Sequence, residues 1–142
     1  MKKIILSAIV LTALSATSCK KKGCMDLEAS NYNKEAKKDD GTCVYNGNVT
    51  WWIGQQESIN LNSNGITDLY VYVNDTLVGS QGSNIYFLSA PACGEPSIVT
   101  KKFDMGTLKS KSIHYQIIDE NQTVQYTGLV DVKPGCNLVE MK

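Results

Sequence analysis

DLYVYVNDTLVGS, residues 68–80, is the stretch that decides the fold. Leu69, Val71 and Val73 fall on one side of an extended chain, and Tyr70 and Tyr72 on the other. That period of two marks a strand with one face on a core. Asn74-Asp75 follows, and both residue types tolerate positive φ, as a two-residue hairpin turn requires. Residues 76–80 then return as the partner strand. A hairpin this explicit predicts a β protein.

The same grammar runs outward in both directions. Residues 48–53 read as a strand with Val49, Trp51 and Ile53 on one face. Further strands are expected at 84–89, 97–103, 112–119, 123–132 and 136–141. Ile113, Tyr115 and Ile117 align in one of them, and Val124, Tyr126, Val130 and Val132 in another. Glu120-Asn121-Gln122 and Pro134-Gly135 supply turns. No segment after the first twenty residues shows a convincing apolar period of 3.6. Short strands at hairpin spacing predict an all-β fold: a single antiparallel β-sandwich of about seven to eight strands over 46–142. A chain of 142 residues suits one such domain.

The first eighteen residues read differently. Lys2 and Lys3 precede an uncharged run over 4–16, then Thr17, Ser18 and Cys19. A basic start, a short apolar stretch and small residues make a secretory signal peptide, too short to span a bilayer. Ala16-Thr17-Ser18-Cys19 resembles the signal of bacterial lipoproteins, although Leu is more usual where Ala16 stands. The resemblance implies that Cys19 is lipidated and becomes the first mature residue. More than one acyl chain is what stable anchoring needs. In that family an Asp after the cysteine favours retention at the inner membrane. Lys20 follows here, which implies the outer membrane, with 19–22 as a tether.

Cysteine counting agrees. The chain has five, Cys19, Cys24, Cys43, Cys93 and Cys136. Lipidation of Cys19 leaves four, enough for two disulfides in an oxidising compartment. Three pairings are open. The one nearest in sequence, Cys24 with Cys43 and Cys93 with Cys136, is expected.

Charge excludes one class of partner. Removing Lys2 and Lys3 from the 14 basic residues leaves 12 Lys against 14 Asp plus Glu, with no Arg. Nucleic-acid binders carry a basic excess and Arg forks, so no nucleic-acid partner is expected. Lys20 to Lys22 form one basic cluster, which serves either anionic headgroups or a solvated tether.

Two further resemblances concern the folded part. Residues 71–79, VYVNDTLVG, resemble the hairpin of small extracytoplasmic modules of the PEGA and carboxypeptidase-regulatory type. The stretch ending Gly135-Cys136-Asn137-Leu138 resembles the end of a group of small Gram-negative lipoproteins. Both imply a sandwich without catalysis. Residues 23–45 resemble a repeat of bacterial envelope proteins, G-C-x-D-x-x-A-x-N-Y-N-x-x-A-x-x-D-D-G-x-C-x-Y. Gly23, Cys24, Asp26, Ala29, Asn31, Tyr32, Asn33, Ala36, Asp39, Asp40, Gly41, Cys43 and Tyr45 fall on it. The resemblance implies a small disulfide-closed module, in which a disulfide substitutes for a core. Tyr32 is expected to pack inward and Asp40-Gly41 to turn the chain.

Candidate chemistry is sparse. His114, the lone histidine, lies mid-strand opposite Ile113, Tyr115 and Ile117, with no nucleophile motif near it. The carboxylate pairs Asp39-Asp40 and Asp119-Glu120 sit in expected loops, unsuited to acid–base work. No enzyme activity and no cofactor are expected. Calcium is the one candidate ligand: Asp26, Asp39 and Asp40, with Asn31 and Asn33, supply oxygens. Lys37 and Lys38 occupy the places of upstream ligands and oppose it. Trp51 and Trp52 are adjacent in a strand and point to opposite faces. One enters the core. The other, near Tyr70 or Tyr72, is a candidate platform for a sugar ring. The competing reading covers it with the 24–45 loop. Asp75-Thr76-Leu77 resembles an O-glycosylation signal, with Thr76 at an accessible hairpin tip. The sequons at Asn48, Asn74 and Asn121 read as accidental in a bacterial lipoprotein.

The expected role is therefore a non-catalytic, lipid-anchored envelope or surface protein that presents an interaction or structural sandwich, with an envelope protein or a glycan as partner. A glycan-binding accessory lipoprotein is the alternative.

Overall fold

The computed structural model describes residues 20–142. The expected signal peptide and Cys19 lie outside the described residues. The chain runs β1 (Tyr45–Ile53), α1 (Gln55–Ser63), β2 (Asp68–Val73), β3 (Thr76–Gly82), β4 (Thr100–Gly106), β5 (Lys111–Asp119), β6 (Val124–Val132) and β7 (Gly135–Met141). Two sheets pack face to face, ordered β4-β1-β7 and β3-β2-β5-β6. Among the described residues the fold is an all-β sandwich with seven strands.

The hairpin at 68–82 forms as its residues dictate. Asn74 and Asp75 take φ of 46° and 62°, and Val73 pairs with Thr76 across them. Leu69, Val71 and Val73 are buried, while Tyr70 and Tyr72 are half-buried on the outer face. They meet Val49, Trp51 and Ile53 from the opposite sheet and Ile113 and Ile117 from β5 in one apolar cluster. Trp51 and Tyr115 pack edge to face, with ring centroids 6.2 Å apart.

Three features depart from the expectation. The first is pairing. β1 pairs antiparallel with β4 but parallel with β7, so the sheet is mixed. The second is α1, where no helix was expected. Only Ser58 and Leu61 of it are buried, so it carries no apolar stripe. Its end is held instead. Gly65, with φ of 79°, donates to Asn62 O and Ile66 donates to Leu61 O, a Schellman ending. The third is the expected strand at 84–89. It makes a single bridge, Gly54 with Phe87, and is otherwise a loop.

That loop has a structural task. Asn48, Thr50 and Trp52 share the face of β1 turned away from the opposite sheet, and Cys136 stands beside Asn48 in register. Cys93 is disulfide-bonded to Cys136, and Gly94 N donates to Thr100 Oγ1, itself 2.7 Å from Thr50 Oγ1. Cys93 and Gly94 of the segment 83–99 are thus tied to this face. Residues 49–53 are buried on both sides, as a central strand covered by two layers must be.

Candidate functional site

The second disulfide joins Cys24 to Cys43, the pairing expected from sequence proximity. Between them the chain has little regular structure, and its polar side chains act as a scaffold. Asn31 Nδ2 donates to Thr42 O at 2.7 Å, and its Oδ1 accepts from Val44 N at 2.9 Å. One amide thereby bridges the two ends of the loop as a strand backbone would. Asn33 Oδ1 accepts from Glu35 N, and Asp39 Oδ1 from Gly41 N. Asp40 Oδ1 accepts from both Thr42 N and Thr42 Oγ1. These are Asx turns, which let short polar side chains replace backbone partners. The Thr42 donors hold the Asp40 carboxyl below the usual carboxylate range.

Small and apolar positions complete the module. Ala29 and Ala36 are buried, and a Cβ on Gly23 would stand 3.0 Å from Asn33 Nδ2. Cys24 and Ala29 belong to the same apolar cluster as the sandwich, with Cys43 packed against it. The module therefore shares its core with the β-sheets. Tyr32, expected to pack inward, is 42% exposed. Tyr45 does the packing instead, buried at the start of β1.

Asp26 ties the module to that tyrosine. Its Oδ2 accepts from Tyr45 Oη at 2.8 Å and pairs with Lys109, and its Oδ1 accepts from Glu28 N at 3.0 Å. Lys109 Nζ lies 5.6 Å from the Tyr45 ring centroid, over its face. The Lys109 ammonium, with the Glu28 and Tyr45 donors, brings the Asp26 carboxyl down to about 2. The same contacts raise the Lys109 ammonium. Burial, then the neighbouring Asp26, raises the Tyr45 phenol.

The candidate calcium ligands are otherwise engaged in this geometry. Asp26, Asp39 and Asp40 each spend carboxylate oxygens on protein donors, and Asp26 is neutralised by a lysine. Among the described residues, no group of three His, Cys, Asp or Glu side chains converges.

The tryptophans are less exposed than a stacking platform requires. Trp51 is fully buried, and Trp52 is only 9% exposed. Alternation sends Trp52 to the other face, on which Cys93 and Gly94 are also held. Tyr70 and Tyr72 remain half-exposed on the other sheet, so the structure does not bring them and Trp52 to one surface. Thr76 is exposed beside the β2–β3 turn, where an accessible hydroxyl was expected.

His114 lies on the outer face of β5, and its Nε2 is 3.1 Å from Thr127 Oγ1. At the far side of the sandwich, Tyr126 Oη donates to Glu57 Oε1, linking β6 to the helix. Burial and the adjacent Glu57 push the Tyr126 phenol far up, so it is a permanent donor. Sequence reading missed this pair, because it assigned no helix to carry Glu57. No helix among the described residues is long and apolar enough to cross a membrane. No family model, curated protein or solved structure matches the chain.

Proposed function

We propose that this chain is a non-catalytic, lipid-anchored protein of the bacterial cell envelope, carried on the outer membrane through Cys19. The observation that supports it is the allocation of thiols. Cys24, Cys43, Cys93 and Cys136 are all consumed in disulfides, which suits an oxidising compartment. Cys19 is left without a partner from that set, directly after an uncharged run and small residues. Lipidation explains the odd thiol, and Lys20–Lys22 lead from the anchor to the sandwich. A non-catalytic role is supported by the engagement of the module's carboxylates in turns and in the Tyr45 contact. The sandwich then serves as a presented surface for an envelope partner.

The test is fractionation with lipid labelling. The wild-type chain should float with outer membranes and incorporate an alkyne-tagged palmitate. Cys19→Ala should be unlabelled and released. A Cys19→Ala chain that still floats with membranes would overturn the reading.

The glycan-binding alternative has lost its tryptophans and rests on Tyr70 and Tyr72. Their half-exposed rings share the outer face of β2 with hydrogen-bonding groups at Gln116 and His114 on β5. Retention on a polysaccharide column, abolished by Tyr70→Ala and Tyr72→Ala together, would favour it over a purely structural role.

A further inference from the structure

The two sheets do not seal along their β3 and β4 edges. Val73, Asn74, Thr76, Leu77 and Val78, with Lys111 and Ile113 of β5, line a groove of about 270 Å³ on the side of one sheet, and Lys101 and Phe103 of β4 line it on the side of the other. Its floor is core. Val78 and Phe103 pack against the central cluster, to which Val73 and Ile113 belong. The seam closes at one end, where Gly79 lies so near Val99 that a Cβ would stand 3.1 Å from it. Beyond that point the edges part.

Two ammonium groups stand over this apolar floor. Lys101 shares the inward parity of Phe103, and Lys111 that of Ile113. Among the described residues neither has a carboxylate within salt-bridge distance. Lys111 Nζ reaches only the backbone oxygen of Asp104, at 3.4 Å. No carboxylate lines the groove. Inward lysines on edge strands commonly deter pairing with other chains. That accounts for Lys101 on edge strand β4. Lys111 lies beyond the last β2 partner of β5, which is Tyr115, so only its β6 side is paired.

We propose that this groove binds the carboxylate form of a free fatty acid, with the tail against Phe103, Val78, Leu77 and Ile113 and the headgroup between Lys101 and Lys111. Charge complementarity selects an anion, and the apolar floor selects a single chain. The volume lies just below the usual range for small-molecule sites, about 300–1,000 Å³. One medium-length tail fits that space better than a two-chain lipid.

The experiment uses the full chain reconstituted in phosphatidylcholine vesicles. A diazirine-bearing medium-chain fatty acid and the alcohol of the same length are photolysed with it, and peptide mass spectrometry maps the adducts. The acid should label residues 73–78 or the Phe103 peptide, with the alcohol weaker. K101Q with K111Q should cut labelling by the acid roughly tenfold, as loss of charge-assisted contacts does, and leave the alcohol unchanged. Both lysines are exposed, so the double variant should melt as the wild type does. Equal labelling by acid and alcohol, adducts outside the groove, or no adduct at all would overturn the proposal. In the last case the lysines serve only to keep the sandwich edge from pairing.

Discussion

Tyr45 hydrogen-bonds Asp26 across 19 residues, and this contact joins the loop module to the first strand of the sandwich. Asp26 lies outside any ladder, and Tyr45 opens β1 opposite Gly106, where the register shifts. The contact is therefore a side-chain solution to a docking problem, and it is sensitive to protonation.

Acid should loosen this junction. The folded-state carboxyl of Asp26 titrates at about 2, against 3.8 for the free group. A depressed pKa contributes stability that is complete above the unfolded value and lost as pH falls through the folded one. The melting temperature should therefore drop between pH about 4 and 2. Asp26→Asn should flatten that drop and lower the melting point at neutral pH. A variant with the wild-type acid profile would show that the contact is not the titrating element. Melts at half-unit pH steps read it directly.

Removing either disulfide should cost stability in the order of loop length. With separations of 19 and 43 residues, chain entropy gives about 3 and about 4 kcal/mol. Paired Cys→Ala variants, unfolded in guanidinium, measure both. Loss of Cys93–Cys136 should also uncover Trp52, and its emission should shift to the red before global unfolding.

Two glycines should respond differently to Ala. A Cβ at Gly47 would stand 2.3 Å from Lys133 O and 2.6 Å from Val132 Cγ1, where backbone cannot yield. Gly47→Ala should cost about 3 kcal/mol or prevent folding. Gly41 has φ of 73° and open space around it. Gly41→Ala should cost only about 1 kcal/mol, the strain of a left-handed residue. Denaturant midpoints of the two variants test the contrast.

Substitution of the tryptophans should act through packing. Trp51→Ala removes a fully buried indole and should cost about 3–5 kcal/mol. Trp52→Ala should approach that figure despite its outward parity. Retention on polysaccharide columns should not change at temperatures where the variants remain folded. Lost retention with an unchanged melting point would restore the ligand platform.

The parts of the fold that were legible are those with local causes. Alternation across 68–73 and the Asn-Asp turn set the hairpin, and the Ile113, Tyr115, Ile117 stripe set β5. The helix was not legible from periodicity, because QQESINLNS buries a serine and a leucine rather than an apolar stripe. Its end carries Asn64-Gly65, a C-cap pair that signals a helix stop. Residues 84–89 have strand composition, yet only Phe87 finds a bridge partner there, so no ladder forms. For Trp52, alternation gives the face but not what lies on it. In the module, Asn31, Asp39 and Asp40 were visible as an oxygen-rich cluster. Whether such oxygens meet a cation or backbone N–H groups depends on a loop conformation that spacing does not encode.

The parallel pairing of β1 with β7 has a consequence for how the chain matures. The strand at the centre of its sheet is made first, and one of its two neighbours comes from the last described strand. Every residue between them must be threaded out before that sheet is complete. Such long-range closure is slow, so the nascent polypeptide stays open until its tail emerges. On the proposed envelope location, that delay would keep the chain from jamming a narrow secretion channel by folding early. Deleting 135–142 should accordingly leave a chain that crosses the membrane normally and is then degraded, which pulse-chase labelling of exported material would reveal.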